Sequence, residues 1–73
     1  MTISQEQRDE IRRRLPRGSM SRIAKACGCS RQAVANWFSG SESIMTEAAI
    51  IDELEWVTRQ QQELRSRLQK LLQ

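Results

Sequence analysis

The chain of 73 residues contains no histidine and no tyrosine, and it has only three aromatic side chains. Histidine is the residue most often used in general acid–base catalysis, so its absence argues against an enzyme. No apolar run approaches the ~18 residues of a membrane span, and a chain of this length forms one domain at most. We therefore expect a soluble protein of the bacterial cytoplasm or nucleoid, with no membrane partner.

Cysteine is also scarce, since Cys27 and Cys29 are the only two and Gly28 alone separates them. This spacing is too short for ordinary disulfide geometry. A zinc site needs four ligands, so these two residues complete one only across two chains. We expect instead that both thiols are free and pack as small apolar residues, with no metal and no cofactor.

Positive charge is concentrated in the front of the chain. Residues 1–45 contain eight Lys and Arg against four Asp and Glu, whereas residues 46–73 contain four against five. A basic surface attracts polyanions, of which nucleic acid and an anionic membrane are the candidates. The run Arg12–Arg14 is a candidate for the DNA side, but a run of charge on a first helix is more often a solvated face than a contact surface.

Helix-ending residues divide the front of the chain into three short helices. Pro16 ends the first, Gly28 separates the second from the third, and Gly40 ends the third. The predicted N-caps are Thr2 or Ser4, Ser19 and Ser30. The apolar residues expected in the core of this head are Ile3, Ile11, Leu15, Met20, Ile23, Ala24, Cys27, Val34, Trp37 and Phe38.

Two short helices that meet at a glycine have the layout of a helix-turn-helix. Ala24 is small where the helices would cross, Gly28 suits the positive φ of the turn, and Cys29 can point into the core. The stretch IAKACGCSRQAVANWFSG closely resembles the helix-turn-helix of phage repressor and Cro-type transcriptional regulators. The resemblance covers residues 19–41 and implies that the helix after the turn enters the major groove of DNA.

The outward face of that helix carries no acidic residue. Arginine can donate a bidentate pair to guanine, glutamine and asparagine can do so to adenine, and alanine permits close approach. The candidate base-reading residues are Arg31, Gln32, Ala35 and Asn36. The candidate phosphate contacts are Arg17, Ser19, Ser21, Arg22, Lys25, Ser39 and Ser41.

The back of the chain, residues 43–73, reads as one long helix with no glycine or proline. A heptad pattern predicts a coiled-coil dimer, parallel or antiparallel, through Ile50, Leu54, Val57, Gln61, Leu64, Leu68 and Leu71. A second face should pack on the head through Ile44, Ala48, Ile51 and Trp56. The front half of the helix then docks and the back half pairs.

These features predict an all-α fold, a small repressor-like helix-turn-helix bundle with a long C-terminal helix that forms a coiled-coil dimer. Residues 1–42 form the DNA-binding head and residues 43–73 the long helix. The expected function is a homodimeric, sequence-specific DNA-binding transcriptional regulator of phage or mobile-element type. We expect a repressor whose partners are double-stranded DNA, bound at an inverted-repeat operator, and a second copy, with no small-molecule ligand.

Two alternatives stay open. The same plan resembles a phage small terminase subunit, a DNA-packaging component, and a ring of eight or more copies would favour that function. The other alternative is a protein–protein adaptor in which the coiled coil is the active part. DNA affinity that is absent, or that does not fall steeply with added salt, would favour the adaptor.

Overall fold

The computed structural model describes residues 3–73, and these residues form four α-helices and no strand. The helices are α1 (Gln5–Arg14), α2 (Ser19–Cys27), α3 (Arg31–Phe38) and α4 (Ile44–Leu72). The all-helical fold with a long C-terminal helix is as expected. Because α4 is far longer than the other helices, the molecule is elongated, with extents of 47 × 24 × 18 Å.

Serine side chains cap three of the four helices. Ser4 accepts a hydrogen bond from the Gln7 backbone, and the Gln7 side chain accepts one from the Ser4 N–H, which together form a capping box. Ser30 and Ser43 each accept from the backbone N–H three residues later. The predicted caps at Ser4 and Ser30 are confirmed, while Thr2 lies outside the described residues.

The start of α2 differs from the prediction. Its N-cap is Gly18, at φ 90°, and Ser19 is the first residue inside the helix, where it is fully buried. The Ser19 N–H donates to the carbonyl of Pro16, so the turn after Pro16 satisfies the first free N–H of α2. The prediction of Ser19 as an N-cap is therefore wrong by one position.

Gly28 shapes the turn between α2 and α3, as predicted. Its φ of 68° lies in the left-handed region, and the N–H of Cys29 returns to the carbonyl of Ala24 at 3.0 Å. The expectation of free thiols is wrong, because Cys27 and Cys29 are joined in a disulfide across this turn. The turn at Gly28 holds the two Cα atoms 5.5 Å apart, a separation that a disulfide can span.

The core lies where α3 and α4 meet α2. Its buried apolar residues are Ile23, Ala24, Val34, Trp37, Phe38 and Ile50. Ile3, Ile11, Leu15, Met20, Cys29 and Ala49 pack around them and are partly buried. All the predicted head residues except Cys27 therefore belong to this cluster, and α4 completes it with Ile50.

The face of α4 that docks on the head is not the predicted one. Ile44 is 86% exposed, and Ala48, Ile51 and Trp56 are also exposed. The heptad residues Ile50 and Val57 are buried instead, and Leu54 is half-buried. Ile50 and Val57 are therefore not available for the predicted dimer contact. A stripe of aliphatic residues can pack on the head of its own chain as readily as on a second chain.

A buried arginine joins α1 to the C-terminal end of α3. The guanidinium of Arg8 donates to the backbone carbonyls of Trp37 and Ser41 and lies 4.5 Å from the centre of the Trp37 ring. Gln5 donates to the carbonyl of Phe38 at 2.7 Å. The carbonyl of Trp37 belongs to the last turn of α3, the negative end of the helix dipole, so it stabilises a cation that has no ion-pair partner among the described residues. The contacts fix the end of α3 against α1.

Candidate nucleic-acid interface

The predicted base-reading face of α3 is exposed. Arg31, Gln32 and Asn36 are exposed and Ala35 is half-buried, whereas Val34 and Trp37 on the opposite face are almost fully buried. The helix is therefore anchored by one side and presents the other. The structure places all four candidate base-reading residues on or beside this presented side.

Two amide side chains on this face are already paired. The Nε2 group of Gln32 donates to Oδ1 of Asn36 at 3.0 Å, one helical turn away. The pair leaves the Gln32 Oε1 acceptor and the Asn36 Nδ2 donor without another hydrogen bond among the described residues. One acceptor and one donor side by side form the set that a purine edge can satisfy.

The sequence around this face contains no carboxylate. Between Glu10 and Glu42 there is no acidic residue, while seven Lys and Arg occur there. Of these seven, Arg13 and Arg14 form ion pairs with Glu10. This gap in acidic residues is a stronger signal of an anionic partner than the charge of the front half as a whole.

Some of the candidate phosphate contacts lie on one exposed side of α2. Ser21 and Lys25 are exposed and one helical turn apart, and Arg17 is exposed in the turn before α2. Ser39 and Ser41 are exposed at the other end, just after α3. The exposed candidates therefore fall in two groups, one along α2 and one after the end of α3.

Ser19 and Arg22 do not belong to this interface. The Ser19 hydroxyl is buried and donates to Oε2 of Glu53 at 2.8 Å, and Arg22 donates to the same oxygen from Nε at 2.9 Å and Nη2 at 2.7 Å. Helix N-termini favour anions, which is why both were predicted to contact phosphate. The anion at the start of α2 is the chain's own Glu53, so the prediction for these two residues is corrected to a contact between α2 and α4.

The contact between Glu53, Ser19 and Arg22 also orders the side chain of Trp56. The Arg22 guanidinium lies 5.2 Å from the centre of the Trp56 ring. Burial by itself raises the pKa of Glu53, but the hydrogen bonds from Arg22 and Ser19 outweigh it and hold the pKa below its ordinary value of 4.5. The contact therefore needs the ionised carboxylate.

This lowered pKa predicts a loss of stability in acid. A group whose pKa is lower in the folded state stabilises the protein above its unfolded pKa, and the contribution disappears as the pH falls through the folded value. We expect Glu53→Gln to lower the free energy of unfolding by about 1–3 kcal/mol at pH 7. Chemical denaturation at a series of pH values should show that the difference from wild type shrinks below about pH 4.5. A difference that is constant with pH would contradict the role of the carboxylate.

Sequence reasoning missed the residues that position α3 and α2. Arg8 and Gln5 hold the end of α3, and Glu53 holds the start of α2, through partners 29 to 34 positions away in the chain. Their residue types give no local sign of these contacts. The sequence gives one hint that Arg8 is buried. Arg8 lies about one helical turn from Ile3–Ser4 and from Ile11, on the same side of α1 as its apolar residues.

The last turns of α4 extend beyond the head with their apolar residues uncovered. Leu64 is 60% exposed, Leu68 55% and Leu71 81%, and Gln61 is exposed as well. The predicted dimer stripe is thus divided into a front part that is buried in the head and a back part that is open. Its back part remains available to a second chain.

Across residues 3–73, no cluster of three or more acidic or cysteine side chains has the arrangement of a metal site. None of the helices in the same range is both long and apolar enough to cross a bilayer. No family model matches the chain, and no curated protein or solved structure shows significant similarity to it.

Proposed function

We propose that the protein is a homodimeric, sequence-specific DNA-binding regulator in which α2, the turn at Gly28 and α3 act as a helix-turn-helix. The observation that carries the proposal is the presented face of α3. This face carries Arg31 beside the Gln32 and Asn36 side chains, which orient each other through a hydrogen bond, and the surrounding sequence has no carboxylate. An exposed face that served only solubility would mix charges of both signs.

The way α2 and α3 are held together supports this function. Gly28 turns the chain in the left-handed conformation, and Ile23, Ala24 and Val34 fill the space between the two helices. The Arg8 contacts hold the C-terminal end of α3, and the disulfide closes the turn that precedes this helix. A rigid helix is what base reading requires, since its side chains must meet base edges at fixed positions.

Each exposed side chain has a specific part in the proposed contact. Arg31, in the first turn of α3, donates to O6 and N7 of a guanine. The Gln32 Oε1 accepts from the N6 amino group of an adenine, while the Asn36 Nδ2 donates to its N7. Ala35 sets the depth of α3 in the groove, because a larger side chain at a half-buried position would hold the backbone away.

The phosphate backbone is contacted on either side of the base-reading face. Ser21 and Lys25 on α2, with Arg17 just before it, face one strand, and Ser39 and Ser41 lie near the other after α3. These contacts orient the head without selecting a sequence. A dimer that places two such heads on an inverted repeat covers the operator, and repression by excluding polymerase is the simplest consequence.

The proposal predicts that base and phosphate contacts respond differently to substitution. Arg31→Ala should weaken operator binding by about 1–3 kcal/mol and relax the preference at one base pair per half-site. Lys25→Ala should weaken operator and unrelated DNA by the same factor. It should also reduce the slope of log affinity against log salt by about 1 for each phosphate that the variant no longer neutralises. Fluorescence anisotropy with operator and scrambled duplexes, over a series of salt concentrations, measures both quantities.

The same titration separates this function from the two alternatives. If Arg31→Ala weakens all duplexes equally, α3 does not read bases, and a packaging component that binds DNA without sequence preference is favoured. If wild type fails to bind any duplex at about 50 mM salt, the protein is an adaptor. A particle of eight or more copies by light scattering would favour the terminase-like alternative.

A further inference from the structure

The apolar side chains in the last three turns of α4 need a cover. Leu64, Leu68, Leu71 and Leu72 are 55–81% exposed and follow one another at spacings of one to four residues. They belong to the segment Gln61–Gln73, here called the tail, in which every residue is exposed. Contiguous exposed apolar surface of this kind marks an interaction site.

A matching apolar surface lies on the head. Between α1 and the front of α4 there is an open groove of about 280 Å³ lined by Ile3, Ile11, Ile51 and Leu54. Its polar rim is formed by Gln7, Glu10 and Arg14. Ile51 and Leu54 start a row of three- and four-residue spacings along α4 that reaches Gln61, Leu68 and Leu72. Groove and tail therefore lie along one side of the same helix.

The charges of α4 are separated along its length. Residues 44–56 contain Glu47, Asp52, Glu53 and Glu55 and no cation, whereas residues 64–73 contain Arg65, Arg67 and Lys70 and no carboxylate. Two copies of α4 side by side in parallel would bring like charges together at both ends. In an antiparallel pair the basic tail of each copy lies beside the acidic front of the other, so the charges favour that orientation.

We propose that the tail lies antiparallel along α4 of a second copy and places Leu68 and Leu72 in that copy's groove. With the two-fold axis near Gln61 and Gln62, Leu72 comes beside the partner's Ile51, Leu68 beside the partner's Leu54, and Arg65 beside the partner's Thr58. Each groove is then closed by two leucines of the partner's tail. The arrangement defines the homodimer of the proposed function and rests on that function for its biological role.

This register has a consequence for DNA. Ile50 is the residue of α4 that packs in the core with Val34 and Trp37 of α3. At ~1.5 Å per residue, Ile50 lies about 17 Å along α4 from the two-fold axis, so the two copies of α3 are about 35 Å apart along the helix pair. Two recognition helices on one face of DNA require ~34–36 Å, one helical turn. An antiparallel pair with this register therefore suits an inverted repeat with half-sites one turn apart.

A charge exchange tests the arrangement. The tail variant Arg65→Glu/Arg67→Glu and the front variant Asp52→Lys/Glu55→Lys each reverse two charges and leave Glu53 in place. Each variant alone should dissociate roughly tenfold more readily than wild type in sedimentation equilibrium at about 50 mM salt, because its tail and front now carry the same sign. An equimolar mixture of the two should regain the wild-type affinity as a heterodimer.

The control is Arg17→Glu/Lys25→Glu, which changes the net charge by as much as the tail variant but lies away from α4. It should lose DNA binding and keep the wild-type dimer, so that failure of DNA binding and failure of pairing are measured separately. A tail variant that pairs as tightly as wild type would overturn the proposal. In a parallel pair each tail meets the other copy's tail, so like charges repel there whether they are positive or negative. A wild-type chain that is monomeric at high micromolar concentration, or larger than a dimer, would also overturn it.

Discussion

Arg8→Ala is expected to lower the free energy of unfolding by about 3 kcal/mol and the melting temperature by roughly 10–20 °C. Arg8 is only 4% exposed, and its guanidinium is bonded to the carbonyls of Trp37 and Ser41 and stacked on the Trp37 ring. Alanine removes the guanidinium donor from both carbonyls and opens a cavity beside the indole. Thermal and chemical denaturation followed by circular dichroism measure the effect.

Arg8→Lys tests whether the charge alone is enough at this position, and Arg12→Ala is the control on the same helix. Arg8→Lys keeps the charge but cannot reach two carbonyls with a planar fork, so it should recover only part of the loss. Arg12→Ala removes an exposed arginine of the same helix that lies 5.7 Å from the Phe38 ring, and it should cost less than about 1 kcal/mol. Equal losses for Arg8→Ala and Arg12→Ala would contradict the assignment of Arg8 as the residue that fixes α1 to α3.

The pair Leu68→Glu/Leu72→Glu is expected to convert the dimer to monomers and to weaken operator binding by about 100-fold or more. In the proposed dimer these substitutions place four carboxylates, two from each chain, in an apolar contact where their desolvation is not compensated. Both leucines are more than half exposed in the single chain, so the head keeps its stability and its weak affinity for a half-site. Sedimentation velocity and anisotropy on full and half operators measure the two effects.

The matched control is Arg59→Gln/Ser66→Glu. It lowers the net charge by the same two units at a seven-residue spacing, on the side of α4 that faces away from the row containing Leu68 and Leu72. It should remain dimeric and bind the operator within about threefold of wild type. If both pairs of substitutions dissociate the dimer alike, net charge rather than the leucine surface decides assembly, and the leucines have another role.

Sequence reasoning succeeded where an interaction is local. Ser4, Ser30 and Gly28 act through hydrogen bonds or backbone angles within five residues, so the residue type and its position suffice to predict three of the helix boundaries in the head. The inward side of α3 was predictable for the same reason, since Val34, Trp37 and Phe38 share one face of a single helix. The exposed residues of α3 were then predicted as those that do not lie on this buried face.

The errors concern contacts between distant parts of the chain. The heptad pattern of α4 correctly indicates which side is apolar, but a repeat does not say whether the cover is the protein's own head or another copy. Ile50 and Val57 therefore belong to the head, and only the tail is left for pairing. Arg22 resembled a phosphate contact because its partner, Glu53, lies 31 residues further along.

The cysteines show a third kind of error. Their separation by a single residue excludes a disulfide in an extended chain or a regular helix, yet they lie on either side of a glycine at φ 68°. That turn was itself predicted from Gly28. To predict the disulfide, the short spacing of the cysteines would have had to be considered together with the turn at Gly28.

Selection of bound sequences from a random DNA library by the wild-type protein tests most directly the claim that α3 reads bases in the major groove. We predict enrichment of an inverted repeat that contains guanine and adenine in each half-site, with half-site centres one helical turn apart, about 10–11 base pairs. If the library emerges without sequence preference from a protein that is folded, dimeric and tested at about 50 mM salt, the claim is contradicted.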